Sequence, residues 1–356
     1  MTKAAGTELG RIIAARITAT GPITLAEFMA ECLLHPEHGY YTTRTPFGAA
    51  GDFTTAPEIS QMFGELLGLC LAQSWLDQGA PAPFTLAELG PGRGTLMADV
   101  LRATRSVPGF HAAAQVLLVE ASPALRRDQL ARLAPHPITH AGSIDSLPDQ
   151  PLFLLANEFF DALPMRQFHF DGSHWRERLV GLQDGQLAFG LSDPLTLPFT
   201  APAFQTPPPG RVVEVCPAAQ PIAQIIGQRL AAHGGAALIV DYGGWRSAGD
   251  TFQAMRAHAF ADPLATPGEA DLTAHVDFEA LAAQARMPHV FASQGEFLTR
   301  LGIETRAARL AQSLAGEALQ SHLAAHRRLT HPQEMGSVFK VLGLYPPGSP
   351  PPPGFA

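Results

Sequence analysis

The stretch Thr85-Leu-Ala-Glu88-Leu-Gly90-Pro-Gly92-Arg-Gly94-Thr95 decides the fold of this chain. Its first half is a short apolar run that is typical of a buried strand, and residues 96–105 after it return to helical periodicity. Glycine tolerates the positive backbone angles of a tight turn and lets a ligand approach the main chain. The sequence therefore predicts a strand, a glycine turn and a helix whose first N–H groups face a ligand.

The same alternation continues along the chain. Short apolar runs at 85–89, 115–120, 138–141 and 152–156 are separated by helical patterns, and buried strands are expected again at 236–241 and 337–344. Strands that alternate with helices imply right-handed crossovers and a parallel sheet. The expected fold class is α/β, with a Rossmann-like sheet.

Two regions depart from this alternation. Residues 1–80 carry apolar residues at helical spacing, which predicts a helical N-terminal cap. Residues 167–191 alternate polar and apolar side chains around two hairpin signals, Asp171-Gly172 and Asp184-Gly185. We therefore expect a main domain at 81–345 that contains a β-hairpin insertion at 167–191. The Pro-rich residues 346–356 are expected to form a disordered tail.

Composition and charge exclude several classes of protein. The chain has 356 residues, with 24 Lys plus Arg against 32 Asp plus Glu, and a net charge of −8. That length excludes a small disulfide-stapled module, and that charge disfavours nucleic acid as a partner. Cys32, Cys70 and Cys216 are widely spaced and odd in number, which favours a reducing compartment and predicts no metal site. No apolar run approaches the ~20 residues of a spanning helix, so we expect no membrane insertion.

The spacing of the glycines narrows the choice of ligand. A dinucleotide fingerprint requires a third glycine where this chain has Thr95. With Glu88 two residues before the first glycine, the order E-x-G-x-G-x-G resembles motif I of class I S-adenosylmethionine-dependent methyltransferases. That resemblance implies that Gly90, Gly92 and Gly94 pack under the amino-acid end of the cofactor. A purely structural turn remains the alternative.

The next two strands add candidate cofactor contacts. Glu120 ends the second strand, where a carboxylate can accept both ribose hydroxyls, although a solvated acid at a strand end is the alternative. Ser143 and Ile144 follow the third strand, at the position where such folds contact the adenine. The candidate cofactor-binding residues are Glu88, Gly90, Gly92, Gly94, Glu120, Ser143 and Ile144.

Polar residues at the end of the fourth strand are candidates for catalysis. Asn157, Glu158 and Asp161 lie within an apolar run, Ala156-Asn-Glu-Phe-Phe-Asp-Ala-Leu-Pro164. In an open parallel sheet the ligand crevice lies outside the carboxyl ends of the strands, so these groups are expected to face the glycine turn. Two carboxylates there are costly unless they meet a cation. Helix capping by Asn157 and Asp161 is the alternative.

Several separate segments together resemble the MidA family, whose members are methyltransferases similar to the mitochondrial complex I assembly factor that dimethylates an arginine. The resemblance runs over residues 12–344. The segments that carry it are 51–65 (GDFTTAPEISQMFGE), 88–95 (ELGPGRGT), 157–164 (NEFFDALP), 241–243 (DYG), 271–278 (DLTAHVDF) and 335–340 (MGSVFK).

The resemblance implies a protein arginine methyltransferase that uses S-adenosyl-L-methionine and acts on a protein substrate, such as a respiratory complex I type subunit during assembly. A guanidinium is always charged and is a poor nucleophile, so facing carboxylates are needed to hold it. Glu158 and Asp161 are the expected carboxylates, and Asn157 is expected to orient substrate or cofactor. The residues expected to contact substrate or form a lid are Asp52, Phe53, Thr55, Glu58 and Glu65.

Three other functions remain open from the sequence. The chain resembles an enzyme, but a cofactor-binding assembly chaperone with little turnover fits the same motifs, and so does a small-molecule methyltransferase. An NAD-linked oxidoreductase is disfavoured by Thr95 at the third glycine position. The expected location is the cytoplasm, or the mitochondrial matrix if the source is eukaryotic.

Overall fold

The computed structural model describes residues 6–43, 54–196, 207–246 and 249–355. The helices are α1 Glu8–Thr20, α2 Leu25–Leu34, α3 Tyr40–Thr43, α4 Ala56–Ile59, α5 Gln61–Asp77, α6 Thr95–Thr104, α7 Phe110–Ala113, α8 Pro123–Leu133, α9 Ala219–His233, α10 Phe278–Ala285, α11 Gln294–Arg300, α12 Ile303–Ala311, α13 Gly316–Thr330 and α14 Met335–Val338. The strands are β1 Ile23–Thr24, β2 Phe84–Leu89, β3 Ala114–Val119, β4 Ile138–Ala141, β5 Leu152–Asn157, β6 Arg166–Phe170, β7 Trp175–Gln183, β8 Gln186–Leu191, β9 Val212–Val215, β10 Gly235–Gly244, β11 Gln253–Arg256, β12 Ala259–Ala261, β13 Asp271–Thr273, β14 Val276–Asp277, β15 His289–Ser293 and β16 Phe339–Leu344.

The chain forms two compact units, and one of them holds the central sheet. This sheet unit comprises Thr54–Phe160, Pro221–Gly243 and Asp277–Ala356. Its strands run in the order β15-β16-β10-β5-β2-β3-β4. Neighbouring strands from β10 to β4 are parallel, whereas β16 is antiparallel to both β10 and β15. The predicted α/β fold with a mostly parallel sheet is therefore confirmed, with one reversed strand that the apolar pattern did not indicate.

The central strands are buried, and their parallel arrangement brings their carboxyl ends to one edge of the sheet. Every residue of β2 and of β5 is buried, as expected for strands covered on both faces. Because β2, β3 and β5 are parallel neighbours, their carboxyl ends at Leu89, Val119 and Asn157 lie at the same edge. The candidate site residues of these strands are therefore brought to one side of the sheet.

The other unit, here called the β unit, comprises Met1–Phe53, Asp161–Gln220 and Gly244–Val276. Its larger sheet has the order β1-β7-β6-β9, and β8 pairs with β7. The β7–β8 hairpin turns at Asp184 and Gly185, whose φ angles are 51° and 77°, as a type I′ turn requires. The predicted β-hairpin insertion is thus confirmed. A separate small sheet, β12-β11-β13, was not predicted.

The predicted N-terminal cap is divided between the two units. Helices α1 to α3 belong to the β unit, while α4 and α5 belong to the sheet unit. Helix α5 packs directly against α6. A Cβ on Gly64 would lie 2.6 Å from Cβ of Asp99, and a Cβ on Gly68 would lie 2.9 Å from Cα of Val100. The two glycines therefore allow a close approach that joins α5 to the sheet unit rather than to a separate cap.

The C-terminal residues are held by the sheet unit. The ring of Phe355 lies 4.8 Å from the ring of Phe297, and the thiol of Cys70 donates to the carbonyl of Pro353 at 3.3 Å. The expected disordered tail is therefore corrected for these residues, because an aromatic side chain near the terminus anchors the prolines. In the part of the chain that the structure describes, no helix has both the length and the apolar character to span a membrane.

Candidate functional site

The glycine turn has the predicted strand-turn-helix form. Gly90, Gly92 and Gly94 have φ angles of 60°, 51° and 76°, which side-chain-bearing residues rarely adopt. Gly94 is the N-cap of α6 and supplies no side-chain hydrogen bond to the first N–H groups. A Cβ on Gly90 would lie 2.8 Å from the ring of Phe159, so the turn is packed closely on one side. The arrangement leaves backbone donors at the helix start for a ligand.

Glu88 is a buried carboxyl group just before this turn. The backbone N–H of Met97 donates to it, while its Oε2 has no hydrogen-bond partner among the described residues. Burial, and secondarily the nearby carboxylate of Glu120, raises the pKa of Glu88 from 4.5 to about 8. A buried polar group of this kind is costly unless a ligand satisfies it.

The raised pKa of Glu88 predicts a pH-dependent stability difference. Between pH 4.5 and about 8 the folded protein keeps the Glu88 proton that the unfolded chain has lost, so this contribution to stability is lost as pH rises. We expect the Glu88→Gln variant to gain stability relative to wild type as pH rises from 5 to 8, at up to about 1.4 kcal/mol per pH unit. Urea unfolding at several pH values measures the difference. A difference that does not change with pH would contradict the raised pKa.

Glu120 follows β3 and is held by several donors. Its Oε1 accepts the N–H of Ser122 at 2.8 Å, and its Oε2 accepts Nε2 of Gln129 at 3.3 Å. Nε of Arg126 donates to the Glu120 backbone carbonyl at 2.8 Å. Burial raises the pKa of Glu120, although the bonds from Ser122 and Gln129 oppose the shift. The carboxylate thus has a defined orientation at the carboxyl edge of the sheet.

Gln129 was not identified from the sequence. It lies on α8, is fully buried, and donates from Nε2 to the carbonyl of Gly92 at 2.6 Å. Its Oε1 lies 2.8 Å from Nε2 of His140. A polar residue on the inner face of a predicted helix, with exposed neighbours on either side, is the sequence signal that could have indicated it.

Ser143 and Ile144 lie after β4, as predicted. The hydroxyl of Ser143 accepts the N–H of Asp145 at 3.3 Å and donates to the carboxylate of Asp145 at 2.5 Å, so it caps a short 3₁₀ turn. Ile144 is buried. Their predicted contact with an adenine stays a prediction.

Asn157 and Glu158 lie together at the end of β5. Nδ2 of Asn157 donates to Oε1 of Glu158 at 3.0 Å, and the same oxygen accepts the N–H of Ala56 at 3.1 Å. Glu158 has a φ of 50°, which is uncommon for a side-chain-bearing residue and marks a constrained position. Asp241, at the neighbouring strand, fixes the following backbone by accepting the N–H of Phe160 at 3.0 Å. Oδ1 of Asn157 is buried and has no hydrogen-bond partner among the described residues.

Helix α4 brings one predicted lid residue to the glycine turn. Oε1 of Glu58 accepts the hydroxyl of Thr95 at 2.5 Å, and its Oε2 lies 3.7 Å from Nη1 of Arg93. Thr55 precedes α4 as its N-cap and makes no side-chain capping bond. The segment Thr55–Glu58 is therefore joined to the glycine turn and, through Ala56, to Glu158. The predicted residues Asp52 and Phe53 lie outside the described residues.

Glu65 is bound by other parts of its own unit. It is buried on α5, where Nε and Nη2 of Arg306 donate at 2.7 and 2.9 Å and Nη2 of Arg102 at 3.0 Å. Burial acts to raise the pKa of Glu65, but the hydrogen bonds from Arg306 and Arg102 outweigh it and the pKa is lowered. Both oxygens of Glu65 bind arginines that fasten α5 to α6 and α12, and its predicted contact with a substrate stays a prediction.

We expect Glu65→Gln to lower the free energy of unfolding by about 1–2 kcal/mol, since two partly exposed arginines lose their charged partner. Cofactor affinity should stay unchanged. Urea unfolding measures the effect, and Glu334→Gln is the control because it removes an exposed pair with Arg327. Loss of ligand affinity without loss of stability would contradict this structural role and support the predicted place of Glu65 in the binding site.

Asp161 belongs to the β unit. It is buried, and its backbone carbonyl accepts the N–H of Ala274 at 3.0 Å. Burial, with the carboxylates of Asp271 and Asp161 nearby, raises the pKa of Tyr41 well above its usual value. The Tyr41 hydroxyl donates to Asp271 at 2.7 Å. The predicted role of Asp161 in substrate binding stays a prediction.

Comparisons with known proteins agree with one another. A family described as putative S-adenosyl-L-methionine-dependent methyltransferases matches residues 66–295. The mitochondrial protein arginine methyltransferase NDUFAF7 of Danio rerio is 38% identical over 361 residues, which cover 93% of this chain and 85% of that protein. The Homo sapiens protein of the same name is 38% identical over 363 residues, covering 93% and 82%.

A solved structure extends the agreement to the fold. A likely methyl transferase from Burkholderia thailandensis, bound to S-adenosyl-homocysteine, aligns with a TM-score of 0.81 and 28% identity over 95% of this chain and 91% of that chain. The family match, the relatives and the mostly parallel sheet with its glycine turn lead to one conclusion. The chain belongs to the MidA family and is an S-adenosyl-L-methionine-dependent methyltransferase.

Proposed function

We propose that this enzyme methylates an arginine side chain of a protein substrate, and that the substrate is a respiratory complex I type subunit undergoing assembly. The names of the relatives support arginine as the acceptor. The observation that carries the proposal is the position of Glu158, a constrained and partly exposed carboxylate at the edge of the sheet that also bears the glycine turn. A carboxylate there suits a cationic acceptor group.

The residues present fit the cofactor. Oδ1 of Asn157 is a buried acceptor and Oε2 of Glu88 a buried carboxyl oxygen, and neither has a hydrogen-bond partner among the described residues, so each suits a polar group supplied by a ligand. We assign Gly90, Gly92 and Gly94 to the amino-acid end of S-adenosyl-L-methionine and Glu120 to its ribose hydroxyls. Ser143 and Ile144 are assigned to its adenine. When bound, the cofactor supplies an electrophilic methyl group on a sulfonium.

Glu158 is proposed to hold the guanidinium of the substrate arginine. A guanidinium spreads its charge over its nitrogens, so each is a poor nucleophile until a carboxylate draws charge away from the attacking one. The N–H of Ala56 and the amide of Asn157 both bind Oε1 of Glu158. These donors orient the carboxylate before the substrate arrives, which reduces the entropy lost on binding. Asp161 is kept as the second proposed carboxylate.

Helix α4 is proposed to be part of the lid. Ala56 binds Glu158 and Glu58 binds Thr95, so a single short segment is joined to both the proposed catalytic residue and the start of α6. Movement of this segment would change both contacts together, and it would control access of water to the site. Thr55, the N-cap of α4, is proposed to belong to the same lid, and the predicted lid residues Asp52 and Phe53 lie outside the described residues.

We further propose that the enzyme works in the cytoplasm, or in the mitochondrial matrix if its source is eukaryotic, without nucleic acid and without insertion into a membrane. The relatives named above are mitochondrial proteins. Net charge of −8 suits a cationic substrate segment and opposes binding to phosphate backbones.

The experiment that tests the proposal uses the purified chain, methyl-labelled S-adenosylmethionine, and two peptide pools that differ only in arginine against lysine. We expect label in the arginine pool, recovered as methylarginine by mass spectrometry, and more label still with complex I subunits as substrate. If neither pool is labelled but the protein binds a complex I subunit tightly, the proposal is wrong and the protein acts as an assembly chaperone. Label only in small molecules would replace it by a small-molecule methyltransferase.

A further inference from the structure

We infer that Gln129 is a positioning residue for cofactor recognition, which orients Glu120 toward the ribose hydroxyls and ties that carboxylate to the glycine turn. The inference rests on the proposed function of Glu120 as the ribose ligand. Gln129 is 0% exposed and lies on α8, a helix that otherwise presents mostly exposed residues. Full burial of an amide on such a helix requires partners for both its oxygen and its nitrogen.

The contacts of Gln129 join the glycine turn to Glu120. Its Nε2 donates to the carbonyl of Gly92 at 2.6 Å and to Oε2 of Glu120 at 3.3 Å. Its stem also lies beneath the turn, because a Cβ on Gly94 would be 3.4 Å from Cγ of Gln129. One side chain therefore sets the distance between the glycine turn and the carboxylate at the end of the next strand.

The orientation of the amide follows from the chemistry of its neighbours. The Gly92 carbonyl accepts hydrogen bonds and never donates, and an ionised Glu120 does the same, so the NH₂ end must face them. Oε1 then faces Nε2 of His140 at 2.8 Å, and this ring nitrogen must carry a hydrogen. Burial, with nearby Arg126, lowers the pKa of His140 and favours the neutral ring. His140 thus holds the amide in a single orientation.

The two oxygens of Glu120 are held unequally. Oε1 accepts the N–H of Ser122 at 2.8 Å, a normal hydrogen bond, whereas the bond from Gln129 to Oε2 is longer at 3.3 Å. A carboxylate offers about four acceptor positions. Donors on both oxygens limit its rotation and leave capacity on Oε2 for a hydroxyl. Gln129 therefore orients the carboxylate without occupying it fully.

The test measures recognition of the hydroxyls rather than affinity alone. Calorimetry compares S-adenosylhomocysteine with its 2′-deoxy analogue on wild type, Gln129→Leu and a matched control. We expect wild type to bind the deoxy analogue about 10–100-fold more weakly, because a buried acceptor loses its donor. In Gln129→Leu this preference should fall to about threefold or less, since Glu120 loses its defined orientation.

The matched control is Gln294→Leu. Gln294 is also 0% exposed and in the same unit, and its Nε2 donates to the Leu329 carbonyl at 2.9 Å, on α13 rather than at the glycine turn. We expect this variant to lose stability and to keep the wild-type preference. A purely structural role for Gln129 would instead weaken both ligands by the same factor and leave the preference intact, which would overturn the inference.

A second variant keeps the inference testable if Gln129→Leu does not fold. His140→Phe leaves Gln129 in place and removes the hydrogen bond that fixes its oxygen, so the preference for the hydroxylated ligand should fall by about threefold. An unchanged preference in His140→Phe would overturn the inference. If wild type itself binds both ligands equally, the assignment of Glu120 to the ribose is wrong, and the inference fails with it.

Discussion

Replacing Glu158 with glutamine should lower the turnover of arginine methylation by about 10²–10³-fold while leaving the affinity for S-adenosylhomocysteine within about threefold. Glutamine keeps an oxygen that accepts the N–H of Ala56 and the amide of Asn157, so the local geometry is retained. The variant loses the negative charge that draws positive charge away from the attacking nitrogen. The effect should therefore fall on turnover rather than on cofactor binding.

The measurement for Glu158→Gln pairs calorimetry of the cofactor product with initial rates on an arginine peptide. Glu304→Gln is the control, because Glu304 is a carboxylate of the same unit that accepts the Thr299 hydroxyl at 2.9 Å and lies on α12. Unchanged turnover in Glu158→Gln would remove this residue from the proposed mechanism. Loss of cofactor affinity would instead make Glu158 a residue that organises the glycine turn.

Replacing Glu120 with alanine should weaken binding of S-adenosylhomocysteine by about 10–100-fold. A charged hydrogen bond to a buried group contributes about 1.5–3 kcal/mol, and every 1.4 kcal/mol corresponds to a tenfold change in affinity. Glu120 is only 8% exposed, so water replaces the lost contacts poorly. Removing the carboxylate also leaves Nε2 of Gln129 with the Gly92 carbonyl as its remaining acceptor.

Calorimetry with S-adenosylhomocysteine, and with NADH as the negative control, measures the Glu120 effect. Glu177→Gln is the protein control, because Glu177 is a buried carboxylate of the β unit that binds Arg166 at 2.6 and 2.5 Å. It should lower stability without changing cofactor affinity. Equal affinities of wild type and Glu120→Ala would contradict the ribose assignment, and the affinity would then depend on the turn and Glu88.

Local signals were sufficient wherever a single segment determines its own conformation. The glycines at 90, 92 and 94 indicated a turn with positive φ, and all three adopt it. Asp184-Gly185 indicated a hairpin, and both residues have the positive φ that a type I′ turn requires. The β11–β12 hairpin was missed because its turn residues, Ala257 and His258, have φ angles of 49° and 61° without the Gly or Asn that signals such a turn.

Strand direction and helix assignment required the tertiary structure. A buried strand has the same apolar pattern whether it is parallel or antiparallel to its neighbours. The antiparallel direction of β16 between β10 and β15 could therefore not be predicted from the sequence. The periodicity of α5 predicted part of an N-terminal cap, whereas in the structure Gly64 and Gly68 pack this helix against α6. The proline-rich terminus was predicted to be disordered, whereas in the structure Phe355 contacts Phe297.

The sequence by itself determined the α/β class, the turn that follows β2 and the family, because each depends on periodicity, backbone freedom or motifs within short segments. Only the tertiary structure decided which carboxylates are hydrogen-bonded to other side chains of the protein. Glu65 is held by Arg306 and Arg102, Glu58 by Thr95, and Glu120 by Gln129, and each of these partners lies far away in the sequence or on another element. Hydrogen bonds between distant residues depend on positions in space, and no spacing along the chain encodes them.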